Sequence, residues 1–540
     1  MTDYDCIIIG AGFGGLRAMI EMRRRGLTAR VIESGSDVGG TWYWNRYPGA
    51  RTDSESWVYC FSFDDDLLQD WDWKARYPDQ PEVQRYLAHV ADRFDLRREI
   101  DFDTRVECAV RDDATNSWTV STSSGNQLTC TYLIPATGPL SVPYLPPFPG
   151  IESFRGEWHL TARWPKESVD LTGKRVAVVG TGATAVQLIP EAAQLADHVT
   201  VFQRTPNYVI PARNGMLGDN QRRSIKAHYG DIWKQVGEHV FGMAINAAGR
   251  VLADVDGAEA RRILERGWEV GGFRFLFESF DDVFTNQETN DVVSEFVRDK
   301  IRSIVVDPTT AELLCPKGYP VGGKRPPLGH HYYETFNRPN VSLVDVSGNP
   351  IESVTEAGIR LADGSEREFD MIVFATGFDA VTGGLTTIDI RSSAGVSLAE
   401  AWADGSETQL GIGVTGFPNM FMIGGPGSPI GNFPPAQDVA VPWIADAIEH
   451  LRATGADAME ADQSAMQAFG RHLRDMIDAT VFGQGDELRS FLIGANVPGK
   501  PHVPLFHFGG FPAYCKELQD CADAGYVGFT IKAAPVRAHV

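Results

Sequence analysis

Asp5-Cys6-Ile7-Ile8-Ile9-Gly10-Ala11-Gly12-Phe13-Gly14-Gly15 is the stretch on which the fold turns. Three consecutive isoleucines read as a buried strand. Gly10, Gly12 and Gly15 follow as G-x-G-x-x-G, and Leu16 to Arg25 has the pattern of a helix. Each glycine has a physical task. Gly10 permits a tight turn, Gly12 lets a pyrophosphate approach the backbone, and Gly15 lets helix and strand pack closely. Free N–H groups and the helix dipole favour an anion at the helix N-terminus. Ala29 to Ile32 reads as the next strand, and Glu33 at its end can accept a ribose hydroxyl. Together these predict a dinucleotide-binding unit with contacts at Gly10, Gly12, Phe13, Gly14, Gly15 and Glu33.

Outward from this unit lies Gly39-Gly40-Thr41-Trp42-Tyr43-Trp44-Asn45-Arg46-Tyr47-Pro48-Gly49-Ala50-Arg51-Thr52-Asp53. The run follows neither helix nor strand periodicity. Placed directly after the glycine turn, its rings suit the wall of a flat ring system. Gly40, Thr41, Trp42, Trp44 and Tyr59, with Val106 further on, are candidate contacts for the first nucleotide. Asp53 is a carboxylate among aromatics, and burial demands a cationic or hydrogen-bonding partner for it.

A second unit begins at Lys174. Arg175 to Val179 is a strand, Gly180-Thr181-Gly182-Ala183-Thr184-Ala185 is the tolerated G-x-G-x-x-A variant, Val186 to Ala196 continues as a helix, and His198 to Phe202 is the next strand. Its end carries Arg204 and Thr205 where the first unit carries Glu33. A carboxylate repels a 2′-phosphate, whereas a guanidinium binds one. The contrast assigns FAD to the first unit and NADPH to the second. Gly180, Thr181, Gly182, Ala183, Thr184, Gln187, Arg204 and Thr205 are the candidate NADPH contacts.

Between and beyond the units, residues 80 to 98 read as a helix, and short strands are expected at 105–110, 118–122 and 127–134. Pro143 to Pro149 reads as a linker. Residues 215–315 carry helical signals, with Asp307 as an N-cap before Pro308 and an aromatic cluster around Trp268 and Phe275. Its rings either cover the cleft or pack that region's own core. Strands return at 341–345, 358–361 and 370–374, and Ala375-Thr376-Gly377 repeats the Ala-Thr-Gly of 136–138. Residues 438–452 read as a helix, while 498–529 resist assignment. The fold class expected is α/β, with two Rossmann-like dinucleotide-binding domains and a helical insertion. The FAD domain takes residues 1–142 and 381–540, the NADP domain 150–214 and 320–380, and the helical insertion 215–319 belongs to the NADP domain.

The chain has 540 residues, and 71 acidic against 49 basic side chains leave a net charge of −22. That balance disfavours nucleic acid and anionic membrane as partners. No apolar run reaches membrane-spanning length and no signal-peptide pattern opens the chain, so a cytoplasmic protein, monomeric or weakly dimeric, is expected. Seven scattered cysteines without C-x-x-C support neither a zinc knuckle nor a redox disulfide, and no metal site is expected.

Phe154-Arg155-Gly156-Glu157-Trp158-His159-Leu160-Thr161-Ala162-Arg163-Trp164-Pro165 resembles the F-x-G-x-x-x-H-x-x-x-W-P signature of type I Baeyer–Villiger monooxygenases. The resemblance extends over nearly the whole chain. It includes the run from Gly40 to Arg51, Val201 to Pro206, Lys324-Arg325-Pro326, Tyr332 to Arg338, Phe374 to Asp379 and Gly494 to Lys500. It implies an FAD enzyme that uses NADPH and O2, through a C4a-peroxyflavin, to insert oxygen beside a ketone carbonyl. It also marks Arg325 as the fixed positive charge, Asp53 as its carboxylate partner and Lys324 as a further NADPH contact. Gly427 to Pro435, with Phe433, resembles the corresponding loop of members acting on cyclic or bulky ketones. An S- or N-oxygenating flavin monooxygenase and a weakly coupled NADPH oxidase are the alternatives.

Two positions depart from the family pattern. Leu160 stands where the signature has histidine, with His159 one residue early, so either the register slips by one or that histidine's linker role is lost. Phe491 stands where a tryptophan usually contacts the nicotinamide cofactor; it keeps a flat surface without the N–H donor.

Overall fold

Ile7 and Ile9 face one core while Cys6 and Ile8 face another, because side chains alternate along a strand. A strand with apolar matter on both sides must be central, and Tyr4–Ile9 pairs in parallel with both Ala29–Ile32 and Gln127–Pro135. The computed structural model describes residues 2–483 and 490–533. Its larger sheet has seven strands, in the order Asp389–Arg391, Val106–Asp112, Ser117–Thr122, Gln127–Pro135, Tyr4–Ile9, Ala29–Ile32 and Ile100–Asp101. The smaller sheet has five, all parallel: Val341–Asp345, His198–Gln203, Arg175–Val179, Met371–Phe374 and Glu157–Leu160. Val176 and Val178 face one core there, Ala177 and Val179 the other, so the second unit repeats the logic of the first.

Two crossings join the sheets and run side by side. Tyr144 N–H donates to Gly377 O at 2.9 Å, Asp379 N–H to Val142 O at 2.9 Å, and Val381 N–H to Pro139 O at 2.8 Å. The segment around Asn496 and Lys500 docks on this double linker. Asn496 Nδ2 donates to Phe378 O at 2.7 Å, and Lys500 pairs with Asp379.

Residues 219–314 hold helices joined by loops, and Asp307 caps Pro308–Leu314 by accepting from Thr310 N–H at 2.8 Å. The stretch does not serve one sheet only. Leu217 and Tyr229 pack into the core of the larger sheet, whereas Leu264, Trp268, Phe275 and Phe296 pack into that of the smaller. Most of the aromatic cluster is therefore core.

Several boundaries differ from those read in the sequence. The first helix is Phe13–Arg24 and the second nucleotide helix Ala183–Leu195, each starting directly after its glycine turn. The helix expected over 80–98 ends at Arg93, because Asp95 takes a left-handed φ of 49°. The helix expected from 438 starts at Phe433, since Pro434 and Pro435 occupy a first turn whose N–H groups have no intrahelical acceptor. Part of the unassigned tail forms the helix Phe511–Asp523, and Phe529–Ala533 pairs with Ala456–Ala461. Thr41–Trp44, in the aromatic run, is one helical turn. Among the described residues no helix is long and apolar enough to cross a membrane.

Candidate active site

The two glycine turns are seated alike. Gly10 has φ 102° and a Cβ there would lie 2.8 Å from Ala136 O; Gly180 has φ 115° and a Cβ would lie 2.6 Å from Ala375 O. The repeated Ala-Thr-Gly thus supplies the carbonyl against which each turn closes. At Gly15 a Cβ would sit 1.8 Å from Gly10 O, a distance only glycine allows. Gly39 N–H donates to Ala11 O at 2.9 Å, which lays Gly40 and Thr41 over the first turn. A Cβ on Gly12 would be 3.4 Å from Gly40 Cα, one on Gly14 would be 3.0 Å from Ile423 Cγ2, and one on Gly182 would meet nothing within 4 Å.

Glu33 accepts from Ala11 N–H and Gly35 N–H, both at 2.6 Å. Burial pushes its carboxyl up while these donors pull it down. Oε1 also accepts from Ser34 Oγ at 3.4 Å, while Oε2, with Ala11 N–H as its donor, keeps a further lone pair for a ribose hydroxyl. Val106, by contrast, commits its side chain to the core.

The aromatic run forms a wall beside the first turn. Trp42 Nε1 donates to the Tyr59 hydroxyl at 3.1 Å, and the Tyr59 ring lies 5.4 Å from that of Phe13. Burial pushes the Tyr59 hydroxyl up to about 12. Asp53 meets the partner that its burial demands: Arg325 Nη1 is 2.7 Å from Asp53 Oδ2. The Asp53 side chain is 4% exposed and that of Arg325 42%. Desolvation raises the Asp53 carboxyl and Arg325 opposes it. Asp53 Oδ1 is buried without a hydrogen-bond partner, so Arg325 is the main polar group holding this carboxylate.

The ion pair joins the loop after the first unit's aromatic run to the segment that carries Arg325, whose guanidinium lies 5.7 Å over the Phe273 ring in the core of the smaller sheet. Tyr47 donates to Gln187 Oε1 at 2.8 Å, and Gln187 Nε2 donates to Arg51 O at 3.1 Å. The expectation that Gln187 contacts NADPH meets an amide already engaged at both ends. Gln187 ties the second nucleotide helix to the loop that carries Asp53.

In the second unit Arg204 is exposed just beyond the strand end. Thr181 Oγ1 donates to Thr205 O at 2.8 Å, which brings Arg204 beside the turn where Ala183 and Thr184 start the helix. Lys324 stands 5.2 Å over the Tyr319 ring, one residue from Arg325. Phe433 and Phe491 share an apolar cluster with Leu140, Val381 and Phe506 at the double linker.

The signature segment keeps its register. His159 lies opposite Val373 and Leu160 opposite Phe374 without a bulge, so His159 does not take the next position. Leu160 packs with the cluster of Phe154 and Phe374, and the His159 ring sits 5.3 Å from Trp164. Two cations not singled out by the sequence reading cross to the first unit. Arg163 lies 4.5 Å over the Trp44 ring, and Lys166 Nζ is 2.6 Å from Ser36 Oγ. Their position flanking Trp164-Pro165 was the available signal.

Comparison with known proteins agrees with this geometry. A family model described as pyridine nucleotide-disulphide oxidoreductase matches residues 7–242. A Baeyer–Villiger monooxygenase of Pseudooceanicola batsensis is 42% identical over 527 residues, covering 97% of this chain and 96% of that protein. The crystal structure of cyclohexanone monooxygenase from Rhodococcus sp. Phi1 bound to NADP+ has a TM-score of 0.95 at 41% identity, over 98% of this chain and 99% of that one. A structure of OTEMO in complex with FAD and NADP has a TM-score of 0.94 at 37% identity, over 98% and 100%. With two Rossmann-like dinucleotide-binding units and the Asp53–Arg325 pair, the chain belongs to the Baeyer–Villiger monooxygenase family and is an FAD- and NADPH-dependent monooxygenase.

Proposed function

We propose that this enzyme inserts one atom of O2 beside the carbonyl of a cyclic or bulky ketone, releasing a lactone or ester. The observation that carries the reading is the Arg325–Asp53 pair, a half-exposed guanidinium held by a buried carboxylate. FAD, reduced by NADPH, supplies the oxygen-activating chemistry when bound.

The chain's own residues supply charge, position and dryness. In this reading residues 1–142 and 381–540 hold FAD, with Glu33 on a ribose and the backbone at Gly12 toward the pyrophosphate. Residues 150–214 and 320–380 hold NADPH, with Arg204 and Thr205 on the 2′-phosphate and Lys324 alongside. The helical stretch 215–319 spans both. Arg325 presents directed N–H donors to the oxygen that becomes negative as the new bond forms. Asp53 aims that guanidinium and, being buried, gives it a reason to stay. Phe13, Trp42, Trp44 and Tyr59 wall the flavin side and exclude water. Phe433 and Phe491, at the linker, offer apolar surface to the ketone and the nicotinamide. The acidic charge supports a cytoplasmic enzyme, monomeric or weakly dimeric, without nucleic-acid or membrane partners.

A panel of cyclic and linear ketones and one aryl sulfide, followed for NADPH consumption and product identity, tests the reading. Stoichiometric lactone or ester is expected. Sulfoxide alone would favour heteroatom oxygenation, and ketone-independent peroxide would favour an oxidase.

A further inference from the structure

We propose that His472, His507 and Glu517 form a binding site for one divalent transition-metal ion of the zinc class, remote in role from the flavin chemistry. His472 lies on the helix Gln463–Asp478, Glu517 on Phe511–Asp523, and His507 on the segment between them. His472 Nε2 is 3.2 Å and His507 Nε2 3.1 Å from the same oxygen, Glu517 Oε1. One ligand atom from each residue falls within 4.8 Å of the others.

These separations suit a tetrahedral site. Metal–nitrogen and metal–oxygen bonds of about 2.0–2.2 Å place neighbouring ligand atoms about 3.3 Å apart. The 3.1–3.2 Å spacings are already close to that edge. Two imidazoles and one carboxylate suit zinc, cobalt or nickel, whereas calcium and magnesium want more oxygens. The side chains of His507, Glu517 and His472 are 0%, 28% and 50% exposed. The set is therefore anchored in the core and open on one side, which gives an ion an entry path and water the fourth position.

The His507 side chain makes its one hydrogen bond among the described residues to Glu517. Its Nδ1 has no hydrogen-bond partner, and its ring lies 5.6 Å from that of Tyr514 and 6.4 Å from that of Phe469. What occupies the cluster therefore decides how this buried ring is held. Its backbone passes that constraint on: His507 N–H donates to Ser428 O at 3.0 Å, and Ile430 N–H donates to His507 O at 3.4 Å. An ion here would staple two helices to the stretch 427–432 that leads into Phe433. The role is structural support of that loop.

The test uses the FAD-loaded enzyme, dialysed against EDTA, incubated with zinc and desalted. About one zinc per chain is expected to remain, and added zinc is expected to raise the thermal midpoint by a few degrees. His472→Ala alters a half-exposed side chain, and its retained flavin absorbance reports folding. It and Glu517→Gln should each lose most of the bound zinc and the thermal response. Wild-type enzyme that retains no zinc, or variants that retain as much as wild type, would overturn the proposal.

Discussion

Arg325 and Asp53 show what one contact decides. Asp53 needs a partner on physical grounds alone, yet 272 positions of chain separate it from Arg325 in the numbering, and only the folded loop brings them to 2.7 Å. Arg325→Ala should leave reduction of the flavin by NADPH intact and lower product formation by at least ~10²-fold, the order lost when a preorganised donor to a developing oxyanion is removed. Stopped-flow reduction and product assays separate the two, and undiminished ester formation would refute the role. Arg204 is exposed beside the second turn. Arg204→Ala should raise the Kd for NADPH by roughly 10–100-fold, the value of a charged hydrogen-bond set, and leave NADH binding nearly unchanged. Equal losses would mean that it does not read the 2′-phosphate. Leu160 packs on the cluster of Phe154 and Phe374. Leu160→His puts a polar ring against that cluster and should lower stability by about 1–2 kcal/mol, read by denaturation of the holoenzyme. A variant that is more stable and better coupled would instead restore a linker histidine.

The glycine-turn units were legible as elements because their geometry is local. A strand buried on both faces, a turn that forbids a Cβ and a helix that begins at once leave little freedom, and the parallel pairings follow. The helix Phe433–Thr454 was less legible, because its packing is not local. Its Asp438 accepts from Arg17 Nε at 2.9 Å and from Ser62 N–H at 2.7 Å, while Arg17 also pairs with Glu21 at 2.9 Å. Arg17, Glu21 and Asp438 are all under 10% exposed. Nothing in the sequence links residue 17 to residue 438, so periodicity set that helix's start five residues late. Asp438→Ala leaves the buried Arg17 with Glu21 as its remaining carboxylate and Ser62 N–H without its acceptor, and should cost about 1–3 kcal/mol, more than an exposed pair on the surface. The thermal midpoint of the FAD-bound protein measures it; a change no larger than that of an exposed Asp→Ala control would show the network to be dispensable.

At the scale of the molecule, His239 joins the helical stretch to the loop before Phe433. Its Nδ1 accepts from Phe241 N–H at 3.1 Å, and Phe241 O accepts from Asn432 N–H at 2.9 Å. Burial, then the charge of Arg274, lowers its pKa from 6.5 to about 4. The folded protein therefore holds it neutral, while the unfolded chain takes up a proton near 6.5. Its contribution is complete above pH 6.5 and is lost as pH falls toward 4, a difference of roughly 3 kcal/mol at most. His330, lowered to about 3 by burial and Arg51, adds to the same acid weakening. Thermal midpoints between pH 7.5 and 4.5 should fall in wild type and fall less steeply in His239→Gln; parallel curves would exclude His239 as a cause.

The sequence by itself determined the two nucleotide units and their order along the chain, and it carries the proposal that FAD takes the first and NADPH the second. Those follow from spacing of a few residues, from strand burial, and from the sign of one charge at each second strand's end, Glu33 or Arg204. The tertiary structure alone decided how the units meet: the double linker at Tyr144 and Gly377, the bridge from Gln187 to Tyr47, the crossing of Arg163 to Trp44, and the closure of Arg325 on Asp53. These contacts join residues far apart along the chain. Their partners are chosen by packing and by the cost of burying an unpaired polar group, neither of which leaves a periodic trace in the sequence.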